Sequence, residues 1–216
     1  MRNFKAILFD IDGTLLDTSE LIFQAFEYTL GTYGFPLKSR EEIASLVGKP
    51  LSFCYKTLTS VSEVQEFCDV HRAFQVNHLH LSKPYPNARD TLESLKSAGV
   101  KIAAVTTRAK STVLETLDLA KLSGYIGYTI ALEDVENLKP HPEPLLKALG
   151  YLQVEPKDAV MVGDTDVDIL AGKNAGTTTI GVTYGFHGQR IIESNPDYTI
   201  DDIAEIVPLV LSLPGK

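Results

Sequence analysis

The sequence predicts an α/β fold: a doubly wound parallel sheet with an inserted all-helical domain. Three observations predict it. Short apolar runs recur along the whole chain; apolar residues repeat every three or four positions between the later runs; and the long interval between the first two runs carries helical patterns with almost no strand signal. Alternating strand and helix periodicities are the mark of a parallel sheet covered on both faces.

The first strand is Ala6 to Phe9, which leads into Asp10-Ile11-Asp12-Gly13-Thr14, a glycine turn holding two acids. Leu21, Ile22, Ala25, Phe26 and Leu30 then share one helical face. Ser39 and Glu42 have the spacing of a capping box ahead of Ile43, Leu46 and Val47, and Val64, Phe67 and Phe74 continue the helical theme. Two prolines in Ser82-Lys83-Pro84-Tyr85-Pro86-Asn87 end this stretch, and Asn87 is set to cap the next helix. Hinges are expected at residues 15–18 and 82–86. Residues 1–16 and 84–216 then form a Rossmann-like catalytic core, and residues 17–83 a helical cap domain.

Beyond the second hinge, Ile102 to Val105 reads as the second strand and Thr129 to Leu132 as the third, with Val113, Leu114 and Leu117 marking a helix between them. Leu145, Leu146 and Leu149 mark another helix before Ala159 to Val162 and Thr178 to Thr183, the fourth and fifth strands. Tyr198-Thr199-Ile200 reads as an edge strand, followed by a capped helix beginning at Asp201 and Asp202.

A chain of 216 residues with 44% apolar content can bury a full core. Its formal charge of −8 and lack of a basic stripe argue against nucleic acid and anionic membrane surfaces as partners. No run approaches the roughly 18 apolar residues of a membrane span, and the N-terminus has no signal-peptide series, so the expectation is a cytoplasmic protein. No long apolar stripe asks for a partner subunit, which leaves a monomer. Cys54 and Cys68 read as buried bystander thiols.

Burying two like charges in one turn is costly unless a cation or a protonation shift compensates, so Asp10 and Asp12 read as a site. Three further pieces stand at or just beyond strand ends, where parallel sheets collect their binding groups: Thr106-Thr107-Arg108, Lys139, and Asp164 with Asp168. Hard carboxylate oxygens without a His or Cys cluster point to magnesium, Mg2+, rather than zinc. Phosphoryl transfer fits the remaining groups: a carboxylate attacks phosphorus while Thr106, Lys139 and main-chain N–H groups hold the phosphoryl oxygens. Gly13 and Thr14 are expected to supply such amides if their turn leads into a helix N-terminus. Asp168, one helical turn past Asp164, binds a metal water or holds a neighbour.

These motifs resemble, in order and over essentially the whole chain, those of the haloacid dehalogenase superfamily, in its phosphatase branch with a helical cap. Asp10-Ile11-Asp12-Gly13-Thr14-Leu15 matches the first motif, Thr106 the second, Lys139 the third, and Gly163-Asp164 with Asp168 the fourth. The overall resemblance is to phosphoglycolate phosphatases and related bacterial pyrophosphatases. It implies that Asp10 is the nucleophile forming an aspartyl-phosphate, that Asp12 is general acid and then general base, and that Asp164 joins Asp10 and the Asp12 main-chain carbonyl around magnesium. Thr14 matches the phosphatases of the family.

The chain departs from that pattern in two places. Thr107-Arg108 stands where many relatives carry an Asn-Lys pair, and Arg108 either reaches a second anionic group of the substrate or is solvated. Asn137-Leu138 precedes Lys139 where glycine is frequent; asparagine tolerates the left-handed conformation such a loop can need. Lys49, in Gly48-Lys49-Pro50, either faces the substrate from the cap or sits in a plain turn. His71, His78 and His80 read as surface positions on one helix, His141 as structural, and His187 after Tyr184-Gly185-Phe186 carries no signal. The expected function is hydrolysis of a small phosphorylated metabolite, phosphoglycolate first, with pyrophosphate or a sugar phosphate as alternatives. A sugar phosphomutase and a phospho-accepting signalling module are the more distant readings.

Overall fold

The computed structural model describes residues 4–212. Its main sheet is built from β1 (Ala6–Phe9), β4 (Lys101–Val105), β5 (Tyr128–Ile130), β6 (Ala159–Gly163), β7 (Thr178–Val182) and β8 (Tyr198–Ile200), with β2 (Leu16–Asp17) and β3 (Lys83–Pro84) forming a separate two-stranded ribbon. The sheet order is β5-β4-β1-β6-β7-β8 and every pairing in it is parallel. This is the doubly wound order, whose direction reverses between β1 and β6, and ligands of such sheets bind beyond the strand ends at that point.

The central strand shows why the chain folds this way. All four residues of β1 are buried, and they alternate between two cores: Ile7 and Phe9 pack in one, Ala6 and Leu8 in the other. A strand covered on both faces needs an unbroken apolar run, which AILF supplies. Helices α5 (Ala88–Ser97) and α6 (Lys110–Leu119) contribute Leu92, Leu95, Val113 and Leu117 to the first core. Helices α7 (Glu143–Leu152) and α8 (Asp166–Ala175) contribute Leu145, Ala148, Leu149 and Ala171 to the second. Each fully buried leucine is worth about 2 kcal/mol in transfer free energy.

Between β2 and β3 lie four helices, α1 (Ser19–Thr32), α2 (Arg40–Ala44), α3 (Leu51–Thr59) and α4 (Gln65–Asn77). They enclose their own apolar cluster of Phe26, Leu30, Ile43, Tyr55, Phe67 and Cys68 among others. The Ser39 capping box is formed: Ser39 Oγ accepts from Glu42 N–H at 3.1 Å and Glu42 Oε2 accepts from Ser39 N–H at 2.9 Å. The two crossings into these helices run side by side, Leu16 opposite Pro84 and Asp17 opposite Lys83 in an antiparallel register.

The sequence reading needs correction at several edges. The third strand stops at Ile130, because Asp134 Oδ2 accepts from Ala131 N–H at 3.0 Å and turns Leu132–Asp134 into a 3-10 segment. Asn87 begins α5 at a left-handed φ of 64°, but its side chain donates to Asp202 at 3.0 and 3.1 Å rather than accepting from the helix. The C-terminal helix α9 (Ile206–Ser212) starts later than expected, after the 3-10 turn Ile203–Glu205 that Asp202 and Glu205 cap. Cys54 and Cys68 are free and buried. Among the described residues no helix is long and apolar enough to cross a membrane.

Candidate active site

Lys139 organises the crevice. Its ammonium donates to Asp10 Oδ1 at 2.6 Å, to Asp168 Oδ1 at 2.6 Å and to the Val105 carbonyl at 2.9 Å, so all three of its protons are used. The residue is only 5% exposed. Burial opposes its charge, but the carboxylates of Asp10 and Asp168 outweigh that and hold the ammonium above the ordinary lysine range. Three chain segments are tied together by one cation: the end of β1, the end of β4 and the start of α8.

Asp10 is fixed from the sheet, its N–H donating to Val162 O on β6 at 2.9 Å. One carboxylate oxygen takes the Lys139 proton. The other accepts no hydrogen bond among the described residues, and Asp10 lines the cavity above. Burial pushes its carboxyl up to about 7, with Lys139 opposing and Asp168 and Asp12 adding to the rise. Asp164 is fully buried: Oδ2 accepts from Phe186 N–H at 2.7 Å, while Oδ1 has no partner among the described residues. Burial, then the charges of Asp10 and Asp168, raise it well above the carboxylate range.

Carboxylate oxygens of Asp10, Asp164 and Asp168 lie within 4.8 Å of one another. Three acids against one lysine leave uncompensated negative charge, and the orphaned Asp164 Oδ1 points to what is needed. An all-oxygen donor set with raised carboxyls fits a hard divalent cation such as magnesium. Asp168 differs from its neighbours, because Oδ1 takes the Lys139 proton and Oδ2 accepts from Thr165 N–H at 3.1 Å and Thr165 Oγ1 at 2.5 Å. Both of its oxygens are engaged by protein.

Asp12 faces Arg108. Asp12 Oδ1 accepts from Arg108 Nη1 at 3.0 Å, and Arg108 Nη2 donates to Thr116 Oγ1 at 2.9 Å. Arg108 is 8% exposed, so the solvated alternative fails; its Nε is buried without a partner among the described residues. The partner 96 residues away in sequence is what draws it inward. Thr106 is buried at the end of β4, and its Oγ1 accepts from Arg108 N–H at 3.2 Å. Thr107 lines the cavity.

The Gly13-Thr14 turn does not behave as expected. Gly13 N–H donates to Leu16 O at 2.8 Å and Thr14 N–H to Ile11 O at 3.3 Å, and the turn runs into β2 rather than a helix. These amides are spent inside the turn. Thr14 is fully buried, with its carbonyl accepting from Tyr184 Oη at 3.0 Å. It is the N–H groups of Ile11 and Asp12 that have no acceptor among the described residues, a feature masked in the sequence by the apolar side chain at position 11. Gly13 has φ of 81°, and a Cβ there would meet Asp164 Oδ2 at 2.2 Å.

The cavity above Asp10 has a volume of about 380 Å³ and extends to the inserted helices, where Phe26, Leu46, Lys49, His71 and Arg72 line it. Lys49 is half-buried in the turn before α3, with Nζ 5.6 Å from the centre of the Phe53 ring. His71 is not a surface residue. It follows Phe67 by one helical turn on the apolar face of α4, is buried, packs edge-on to Phe26 at 4.7 Å and shares a 2.8 Å hydrogen bond with Tyr55 Oη through Nδ1. Burial holds its imidazole neutral, with the pKa lowered to about 3. His80 lies in a separate 3-10 turn, Leu79–Leu81, while His141 Nδ1 accepts from Glu143 N–H at 3.2 Å. Asn137 does not adopt the left-handed conformation; its N–H and side-chain amide both donate to Glu143 Oε2 at 3.0 Å.

The comparisons with known proteins agree with this geometry. The family model described as haloacid dehalogenase-like hydrolase matches residues 7–182. The pyrophosphatase PpaX of Bacillus mycoides is 38% identical over 215 residues, covering 98% of this chain and 99% of the relative. The same enzyme of Anoxybacillus flavithermus is 39% identical over 212 residues, at 96% and 97% coverage. Among solved structures, a predicted phosphoglycolate phosphatase from Haemophilus somnus superposes with a TM-score of 0.87 at 27% identity, covering 95% of this chain and 97% of that one. A haloacid dehalogenase-like hydrolase from Streptococcus pneumoniae does so with 0.88 at 27% identity, at 97% and 99% coverage. A match that runs from β1 through β7, over a crevice built by four acids and one lysine, means that this chain belongs to the haloacid dehalogenase-like hydrolases, among their phosphatases.

Proposed function

We propose that the protein is a magnesium-dependent phosphatase that hydrolyses a small phosphorylated metabolite through an aspartyl-phosphate on Asp10. One observation carries the reading: Asp10 lines the cavity and is held by Lys139 through one carboxylate oxygen, while the other accepts no hydrogen bond among the described residues. The free oxygen attacks phosphorus as the bond to the leaving oxygen breaks, and Asp12 gives that oxygen its proton. In the second half Asp12 takes a proton from the water that attacks the aspartyl-phosphate, releasing phosphate and restoring Asp10. Asp12 exchanges its bond to Arg108 for these partners.

Thr106 and the unpaired N–H groups of Ile11 and Asp12 stabilise the charge on the phosphoryl oxygens, and Lys139, whose protons are spent within the protein, adds its charge alone. Asp10, Asp164 and the Asp12 main-chain carbonyl would hold magnesium, which would supply positive charge to the nucleophile and to the phosphate. Asp168 serves this group indirectly by holding Lys139. Thr107, Arg108 and Lys49 are the side chains we assign to the rest of the substrate, with residues 17–83 acting as a cap that closes over it; Gly13 and Thr14 shape the turn without touching the substrate. The free cysteines suit a cytoplasmic location, and a monomer is sufficient for the site.

Phosphoglycolate is our first candidate substrate, in line with the description of the Haemophilus somnus structural neighbour as a predicted phosphoglycolate phosphatase. Pyrophosphate is the second, favoured by the name carried by relatives at 38–39% identity over nearly the whole chain. The test is phosphate release from both compounds and a panel of sugar phosphates, with magnesium or chelator, for the wild type and Asp10→Asn. Magnesium-dependent release that Asp10→Asn abolishes is the expected result. Wild-type rates in that variant would sink the mechanism, and a phosphorylated protein without turnover would turn the assignment towards a phospho-accepting module.

A further inference from the structure

The loop after β7 touches both the acid cluster and the inserted helices. Phe186 donates its N–H to Asp164 Oδ2 at 2.7 Å, while its ring packs edge-on to Phe23 of α1 at 6.0 Å and joins the apolar cluster of the helices. The approach is close. A Cβ on Gly185 would lie 2.3 Å from Asp164 Cβ and 2.5 Å from Gly13 O, and one on Gly13 would lie 2.7 Å from the Phe186 ring. Only glycine at both positions lets the three backbones stack so that the amide reaches the carboxylate.

The same loop is pinned to the crossings into the helices. Tyr184 Oη donates to Thr14 O at 3.0 Å, Tyr85 Oη to Tyr184 O at 3.4 Å, and Tyr85 N–H to Leu15 O at 3.1 Å. Asp164 therefore has one oxygen oriented by Phe186 and the other, Oδ1, buried and unpartnered among the described residues. Groups that fix one oxygen of a ligating carboxylate set the direction of the other.

We propose that Phe186 is a positioning residue that couples the orientation of the Asp164 carboxylate to the packing of helix α1. Its amide aims Asp164 Oδ1 into the acid cluster, and its ring, seated against Phe23, keeps that amide in place. Occupation of the metal site and docking of α1 then stabilise each other, and by linkage each raises the other by the same factor. This inference rests on the reading of Asp164 as a magnesium-holding residue.

Backbone hydrogen exchange over Ser19–Thr32, with and without magnesium, tests it alongside magnesium binding by calorimetry. Phe186→Ala keeps the N–H but removes the anchor; Phe186→Leu keeps an apolar anchor. In the wild type magnesium is expected to slow exchange in α1 by about fivefold or more. Phe186→Ala loses that response and binds magnesium about tenfold more weakly, and Phe186→Leu restores both. If Phe186→Ala keeps the wild-type response and affinity, or if α1 in the wild type does not respond to bound magnesium, the coupling is wrong and the site reading stands. If the wild type binds no magnesium, the site reading falls and the coupling with it.

Discussion

Replacing Lys139 by methionine removes one charge while keeping a side chain of similar length. The ammonium compensates two buried carboxylates, Asp10 and Asp168, each 2.6 Å away. Removing one partner of a buried ion pair costs about 3–5 kcal/mol, because the charge left behind has neither water nor a partner. That is a large share of a typical total of about 5–15 kcal/mol, yet it leaves the chain room to fold. The loss has a sign that depends on pH. Asp10 already sits at about 7, raised from 3.8, so its native state holds a proton that the unfolded chain has given up, and stability falls as pH rises through that window. Without Lys139 the window moves upward, and the variant regains up to about 1.4 kcal/mol for each pH unit below 8 while one extra proton is held. Urea unfolding followed by circular dichroism, in chelator, at pH 8 and pH 6, reads this out. The variant is expected to be weakest at pH 8 and to recover about 1.4 kcal/mol relative to the wild type at pH 6, because the wild type, with Asp10 at about 7, itself gains about 1.4 kcal/mol of the variant's roughly 2.7 kcal/mol over that range. An equal deficit at both values would mean that packing rather than charge was lost, and would refute the account of the site.

Four further outcomes are expected. His71 is buried neutral with its pKa lowered from 6.5 to about 3, so the unfolded chain takes up the proton first; stability held above pH 6.5 is lost as pH falls, by about 2 kcal/mol at pH 5, and His71→Gln measured by the same unfolding assay flattens that acid limb. Gly13→Ala meets Asp164 at 2.2 Å at a φ of 81°, whereas Gly34→Ala has a similar φ of 73° and open space; thermal unfolding should show about 1–2 kcal/mol for Gly34→Ala and clearly more for Gly13→Ala. Asp164→Asn removes a repulsive charge with an orphaned oxygen and so leaves metal-free stability unchanged or higher while abolishing stabilisation by magnesium, which for the wild type is about 2.7 kcal/mol at a hundredfold excess over Kd. Asp168→Asn instead lowers metal-free stability, because the amide keeps only one of the two accepting oxygens, so the bonds to Lys139 or to Thr165 are lost along with the charge that Lys139 compensates.

The parts of the molecule legible in its sequence are those whose physical cause is local. The AILF run needs two apolar covers wherever it is placed, and Asp10 and Asp164 stand at strand ends because a turn follows each strand in the chain itself. What was not legible depends on residues far apart. Arg108 reads as solvated or substrate-facing until Asp12, 96 positions earlier, takes its guanidinium. His71 reads as exposed until α1 lays Phe26 across it, and Tyr184-Gly185-Phe186 carries no periodicity at all, although its glycine between two aromatic residues marks a close approach. Gly13 and Thr14 drew the expectation of free amides because a glycine turn is a common phosphate cradle. Their amides closed the turn instead, and the ones left over belong to the residues before them.

A net charge of −8 and an anionic substrate are compatible because the crevice separates polar groups that are satisfied from groups that are not. Lys139 uses three protons and Asp168 both oxygens, all within the protein. Asp10 keeps one free oxygen, Asp164 keeps Oδ1, and Ile11 and Asp12 keep two N–H groups without acceptors among the described residues. The satisfied set fixes positions; in the function proposed above, the unsatisfied set is what a cation and a phosphoryl group would complete together. Donors held in place before the ligand arrives lose little in reorganisation when charge develops, which is the largest electrostatic advantage a folded site has over water. Neither half suffices alone. The free oxygens repel the phosphate without the cation, and the cation has no reason to sit there without the buried acids.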